Sequence, residues 1–160
     1  MKSLLSYKYQ NIRKRIILRR VLENGAIVID VGSHKGEFIR LLPKKIMKII
    51  AIEPQQFLNK NIQNNQTKKK RIEIVNCAIS QDIGIKDFYI NESTVGSSLL
   101  KPVNQEGSKW LTPDKNIKLY SNKLSHIIND FSINDPISLL KIDTQGSDLQ
   151  VLKSLDHYLN

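Results

Sequence analysis

Val28-Ile29-Asp30-Val31-Gly32-Ser33-His34-Lys35-Gly36-Glu37-Phe38 is the stretch that decides the fold of this 160-residue chain. An apolar run ends in an acid, and two glycines follow four residues apart. The spacing predicts a strand, a tight turn and the N-terminus of a helix over Glu37 to Leu42, stopped near Pro43. In an open parallel sheet such a turn lies at the carboxyl edge, where ligands bind. Free N–H groups at a helix start suit a carboxylate or phosphate. The next apolar run, Lys48 to Ile52, ends at Glu53-Pro54, 23 residues beyond Asp30. A carboxylate at that place can accept both hydroxyls of a ribose. Two strand-end acids around a bare turn therefore suggest one adenosine-containing cofactor.

The glycine spacing narrows the choice. A dinucleotide turn reads G-x-G-x-x-G, whereas here His34 stands where the middle glycine would be, and its bulk opposes a pyrophosphate. No phosphate-binding G-x-x-x-x-G-K-[ST] loop occurs. A small zwitterionic amino-acid end, as in S-adenosylmethionine, suits the spacing better.

Outward from this stretch the pattern is β-α-β-α-β. Strands are expected over Ala26 to Val31, Lys48 to Ile52 and Ile72 to Ala78, with a helix over Phe57 to Asn65. That alternation argues for a parallel sheet with helices on both faces. Lys86 to Ile90 and Ile117 to Tyr120 read as further short strands, and Lys123 to Phe131 as a helix. Asn91 to Ser98 reads as a solvated loop and Lys101 to Lys115 as irregular. Ile137 to Ile142 is a fourth parallel strand ending at Asp143. A helix over Ser147 to Leu159 then carries Leu149, Leu152 and Leu155 on one face. Residues 1–25 form a separate basic helix, ended by Asn24-Gly25, whose Leu5, Tyr9, Ile12 and Ile16 recur at helical spacing. Packing of that row on the sheet is expected; a membrane-surface role is the alternative.

Composition excludes several classes. Hydrophobic content of 40% and charged content of 25% fit a folded domain. Cys77 is the one cysteine, so no internal disulfide forms and a reducing, cytoplasmic setting is expected. No apolar run approaches the roughly 20 residues of a membrane span. The net charge is +10, but seven of the 25 basic residues fall in the first 20 positions and no aromatic platform interleaves with them, so no specific nucleic-acid site is expected. The histidines show no metal-ligand spacing with cysteine or acids, and no metal is expected.

These motifs, with Ala51-Ile-Glu-Pro54, Asn76-Cys-Ala-Ile-Ser80, Ser97-Ser-Leu99 and Leu140-Lys-Ile-Asp-Thr-Gln-Gly-Ser-Asp148, resemble in order and spacing those of FkbM-type methyltransferases. The resemblance runs from about Ala26 to Leu155. It implies a Rossmann-like α/β fold and S-adenosylmethionine-dependent O-methylation of a sugar or another small molecule. It implies that Asp30, Gly32, Gly36 and Glu53 face the cofactor, and places Ala78 and Ile79 near the adenine. Ser33 and His34, inside the turn, belong with these residues. The family's last motif reads Lys-Ile-Asp-x-Glu-Gly-x-Glu, and here Gln145 and Asp148 replace the two glutamates, while His34 stands for an asparagine. The likeness also implies about three further strands, so the domain spanning 26–160 is expected to be incomplete at its C-terminus. The fourth strand would then lie at an open edge, where self-association is an expectation.

For the chemistry, Asp143 is the candidate proton acceptor, because it ends a parallel strand at the ligand-binding edge. Lys141 shares its face by period-two alternation. A structural Lys–Asp network that shapes the pocket is the alternative for both. A non-catalytic domain that binds cofactor or a partner without turnover is the alternative for the whole chain.

Overall fold

The computed structural model describes residues 4–67, 70–91, 94–101, 113–133 and 135–159. A long helix, α1 (Leu4–Val21), precedes a four-stranded parallel sheet built from β1 (Ile27–Val31), β2 (Lys48–Ile52), β3 (Arg71–Val75) and β7 (Ile137–Ile142). The strand order is β3-β2-β1-β7, which leaves β7 at a border as expected. A second sheet joins β4 (Ala78–Ile79), β5 (Gly84–Asn91) and β6 (Pro113–Asn122) in the order β4-β6-β5. Three short α-helices follow among the described residues: α2 (Asn59–Gln63), α3 (Leu124–Asp130) and α4 (Asp148–Lys153). This is the parallel α/β sheet that the alternating pattern predicts, and the Rossmann-like architecture that the resemblance implies.

Strand alternation divides the core into two layers. Val28, Ile49, Ala51 and Ile72 point to one face and pack with Leu18 of α1, Leu22 just past its end, Ile39, Ile46, and Ile62 of α2. Ile29, Val31, Ile50 and Ile52 point to the other and pack with Leu124, Ile127 and Ile128 of α3 and with Val151 and Leu155. β1 is buried along its whole length, as a strand covered on both faces must be.

Four expectations need correction. The segment after the glycine turn is not an α-helix; it is a series of turns ending in one 3-10 turn, Ile39–Leu41. Gly36 has φ +75°, and after one i→i−4 bond from the Arg40 N–H to the Gly36 carbonyl the chain tightens to i→i−3 bonds at Leu41 and Leu42 before Pro43. The third strand stops at Val75. There the Asn76 side chain donates to the Glu53 carbonyl at 2.8 Å and pairs with Asn59, and the chain leaves for the second sheet. The last helix is two pieces, α4 and a 3-10 turn at Asp156–Leu159, with Leu149 and Leu152 exposed and Val151 and Leu155 inward. Lastly, the apolar row of α1 does not pack. Tyr9, Ile12 and Ile16 are 62%, 55% and 46% exposed.

The cause of that last difference lies in the phase of the helix. Leu18 and Leu22 anchor only its C-terminal end, and Asn11, Lys14 and Arg15, one and two turns earlier on the side of Leu18, line the cavity while Lys14 and Arg15 stay exposed. Residues 102–112, including Trp110 and most of the stretch expected to be irregular, lie outside the described residues. No helix among the described residues is long and apolar enough to cross a membrane.

Ile49→Ala removes a side chain with no exposed surface and should lower the unfolding free energy by about 2–5 kcal/mol, while Ile12→Ala on the outer face of α1 should change it by less than about 0.5 kcal/mol. Urea unfolding of the two variants reads both figures.

Candidate functional site

The site begins with register. β1 and β7 run parallel with Asp30 beside Lys141. Asp30 is fully buried, and a buried carboxylate needs a partner. The Lys141 ammonium supplies it, 3.0 Å from Asp30 Oδ1. The same ammonium donates to the Gly32 carbonyl at 2.7 Å and lies 3.8 Å from Asp143 Oδ2. One cation thus ties the end of β1, the glycine turn and the end of β7. Burial pushes the Asp30 carboxyl above the ordinary value, and the Lys141 charge opposes part of that rise.

Gly32 sits where no other residue fits. Its φ is +75°, and a Cβ there would overlap the Asp143 carbonyl oxygen. Gly36, also at +75°, packs against α2, where a Cβ would meet Asn65 Nδ2 at 2.7 Å. Between them His34 adopts a left-handed φ of 48°. That conformation aims the His34 N–H at Glu53 Oε2, 2.8 Å away, and its Nε2 lies 2.7 Å from Thr94 Oγ1.

Glu53 ends β2 and is nearly inaccessible. Its Oε1 accepts from the Gln55 N–H at 3.0 Å and from Gln55 Nε2 at 3.1 Å. Burial raises the Glu53 carboxyl, and these donors with His34 pull it back. Gln55 Oε1 and Ser147 Oγ are buried and make no hydrogen bond among the described residues.

These groups meet at one cavity of about 930 Å³ at the carboxyl edge of the sheet. Gly32, Ser33, His34, Glu53, Ala78, Ile79, Lys141 and Asp143 all line it. Asp30 and Gly36 stand behind the wall; the first braces Lys141 and the second seats α2. Asp143 is well exposed, with 57% of its side chain accessible, and accepts from Gln145 Nε2 at 2.9 Å. Gln145 itself is left-handed, with φ 54°. Asp148, in place of the family's glutamate, accepts from the Thr144 N–H at 2.8 Å and its hydroxyl at 2.7 Å, which holds its carboxyl below the ordinary value and fixes the loop after β7.

Ser97 and Ser98 are buried instead of solvated. Ser98 donates to the Gln145 carbonyl at 3.0 Å and so ties the loop after β5 to the one after β7. Cys77 is also buried in the cavity wall, where loss of solvent pushes its thiol up to about 11.

The Methyltransferase FkbM domain family matches residues 30–160. The chain belongs to this family. No curated protein and no solved structure matches it. This FkbM chain adds wall residues that its sequence does not announce. Gln55 is one glutamine among several, and only the fold aims its side chain back at Glu53. Asn11, Lys14 and Arg15 carry a usable signal in hindsight, since they share the helical phase of the anchoring Leu18. Among the described residues, no group of three His, Cys, Asp or Glu side chains could hold a metal ion.

A carboxyl raised by folding adds stability that is complete below its unfolded value, about pH 4, and is lost as pH climbs through the higher folded value. The unfolding free energy of the native chain minus that of Asp30→Asn should therefore fall as pH rises from about 4 toward neutrality. Chemical denaturation across that interval reads the slope, and a flat difference would contradict the burial effect at Asp30.

Proposed function

We propose that this FkbM chain is an S-adenosylmethionine-dependent O-methyltransferase whose acceptor is a hydroxyl of a sugar or another small molecule. One observation carries the reading: a buried strand-end carboxylate, Glu53, opens onto the same cavity as the bare backbone of Gly32. The residues present fit such a cofactor. Glu53, with the unused acceptor Gln55 Oε1 beside it, would take ribose hydroxyls. Ala78 and Ile79 offer an apolar edge for the base. The turn from Gly32 to His34 leaves backbone open for the amino-acid end. When bound, the cofactor supplies an electrophilic methyl group on a sulfonium.

The chain's own task is then positioning and proton removal. The acceptor oxygen would gain the methyl group that the bound cofactor supplies, with the S–CH3 bond broken and the sulfur left as a thioether. The hydroxyl proton needs an acceptor, and Asp143 takes it. Asp143 is the more exposed of the two strand-end carboxylates that line the wall, whereas Glu53 is enclosed by three donors. Lys141 helps hold Asp143 in place from 3.8 Å. The buried Asp30 holds Lys141 in turn, which makes Asp30 a positioning residue. A cytoplasmic setting agrees with a lone, protonated cysteine.

Glu53→Gln should weaken S-adenosylhomocysteine binding about tenfold or more in calorimetry, because a charge-assisted acceptor of ribose hydroxyls is lost. Unchanged affinity would overturn the ribose assignment. Asp143→Asn should leave that affinity intact and slow methyl transfer by roughly 10²–10⁴.

A further inference from the structure

We infer that the acceptor is an anionic sugar, one that carries a phosphate or carboxylate near its reacting hydroxyl, and that Lys14 and Arg15 of α1 recognise this charge. The inference rests on the methyltransferase reading above and names the acceptor class for the same cavity.

Four cationic side chains line the cavity: Lys14, Arg15, Arg40 and Lys141. Two of them are already engaged. Lys141 is paired with Asp30, and Arg40 Nη2 lies 3.6 Å from Glu37 Oε1. Lys14 and Arg15 make no ion pair among the described residues. No neutralising group comes from their own helix either, since Leu4–Val21 holds six Lys and Arg and no Asp or Glu.

The carboxylates on the wall do not offset them. Glu37 faces Arg40 and His34, Glu53 is enclosed by N–H donors, and Asp143 faces Lys141. Lys14 and Arg15 are thus the two wall cations left without a carboxylate partner among the described residues.

The placement of the two cations follows from the fold. Leu18 is buried in the core, and Arg15 and Lys14 precede it by three and four residues, so they share its face. Asn11 continues that face by one more turn and lines the cavity as a neutral donor and acceptor for sugar hydroxyls. A helix held this way presents two unpaired cations and an amide to whatever enters. A neutral sugar would leave both charges unused, whereas a phosphate or carboxylate would gain charge-assisted hydrogen bonds from each.

The test is calorimetry on the full chain, with and without S-adenosylhomocysteine, using glucose 6-phosphate, glucuronic acid and glucose as probes. At least one acidic sugar should bind about tenfold or more tightly than glucose, and Lys14→Gln with Arg15→Gln should remove that advantage. The double variant should hold S-adenosylhomocysteine as the native chain does, which shows that it is folded. Glucose 6-phosphate and glucuronic acid separate the two sources of charge. Equal binding of all three sugars, binding of none, or an acidic advantage that survives the double substitution overturns the inference. So does a matching loss of S-adenosylhomocysteine affinity in the variant, which assigns the cations to the cofactor's own carboxylate. Failure of the native chain to bind S-adenosylhomocysteine speaks against the methyltransferase reading alone, because the sugar titrations on the unliganded chain still test the charge preference.

Discussion

A carboxylate buried in the middle of a parallel sheet constrains everything around it. Asp30 reaches no solvent, so its charge depends on the ammonium of Lys141 on the adjacent strand. The pairing fixes the register of β7 against β1, because a shift of one residue would turn Lys141 to the opposite face. It also fixes the turn, because the same ammonium holds the Gly32 carbonyl. The wall of the cavity is thus referenced to one ion pair behind it. The residue with no surface of its own orders the residues that have some.

Glu53 plays a second organising part. Its two oxygens collect donors from the turn after β1 and from the segment after β2. Thr94 reaches the same group of residues through His34 and through Gln55, whose Nε2 is 3.4 Å from the Thr94 carbonyl. Ser98 then links the following residues to the loop after β7. Four chain segments far apart in sequence share one hydrogen-bonded rim. None of these segments is regular secondary structure, which is the usual division of labour between a rigid sheet and the loops it carries.

The parallel sheet was legible because its two central strands, β1 and β2, are apolar apart from one polar residue each, as a strand covered on both faces requires. Acids marked the site: Asp30 interrupts the apolar run of β1 one residue before its end, and Glu53 and Asp143 directly follow β2 and β7. The second sheet was less legible. β6 reads Pro113 to Asn122 with polar residues dominant, and its pairing with β5 follows from cross-strand partners distant in sequence. The orientation of α1 was misread for a different reason. Its apolar row suggested one buried face, but burial is decided by where the helix touches the core, and only Leu18 and Leu22 do. Gln55 and Ser147 entered the site without a sequence signal, since their roles come from enclosure alone.

Cys77 adds a consequence about chemical safety. Sulfur nucleophiles compete with oxygen for any electrophilic one-carbon donor, and the competing species is the thiolate. With its thiol pushed up to about 11, this sulfur is deprotonated in roughly one molecule in ten thousand at neutral pH. A cavity walled partly by a cysteine can therefore admit a reactive alkylating compound without alkylating itself. The loss of solvent in that corner, which follows from packing, keeps this sulfur a poor nucleophile.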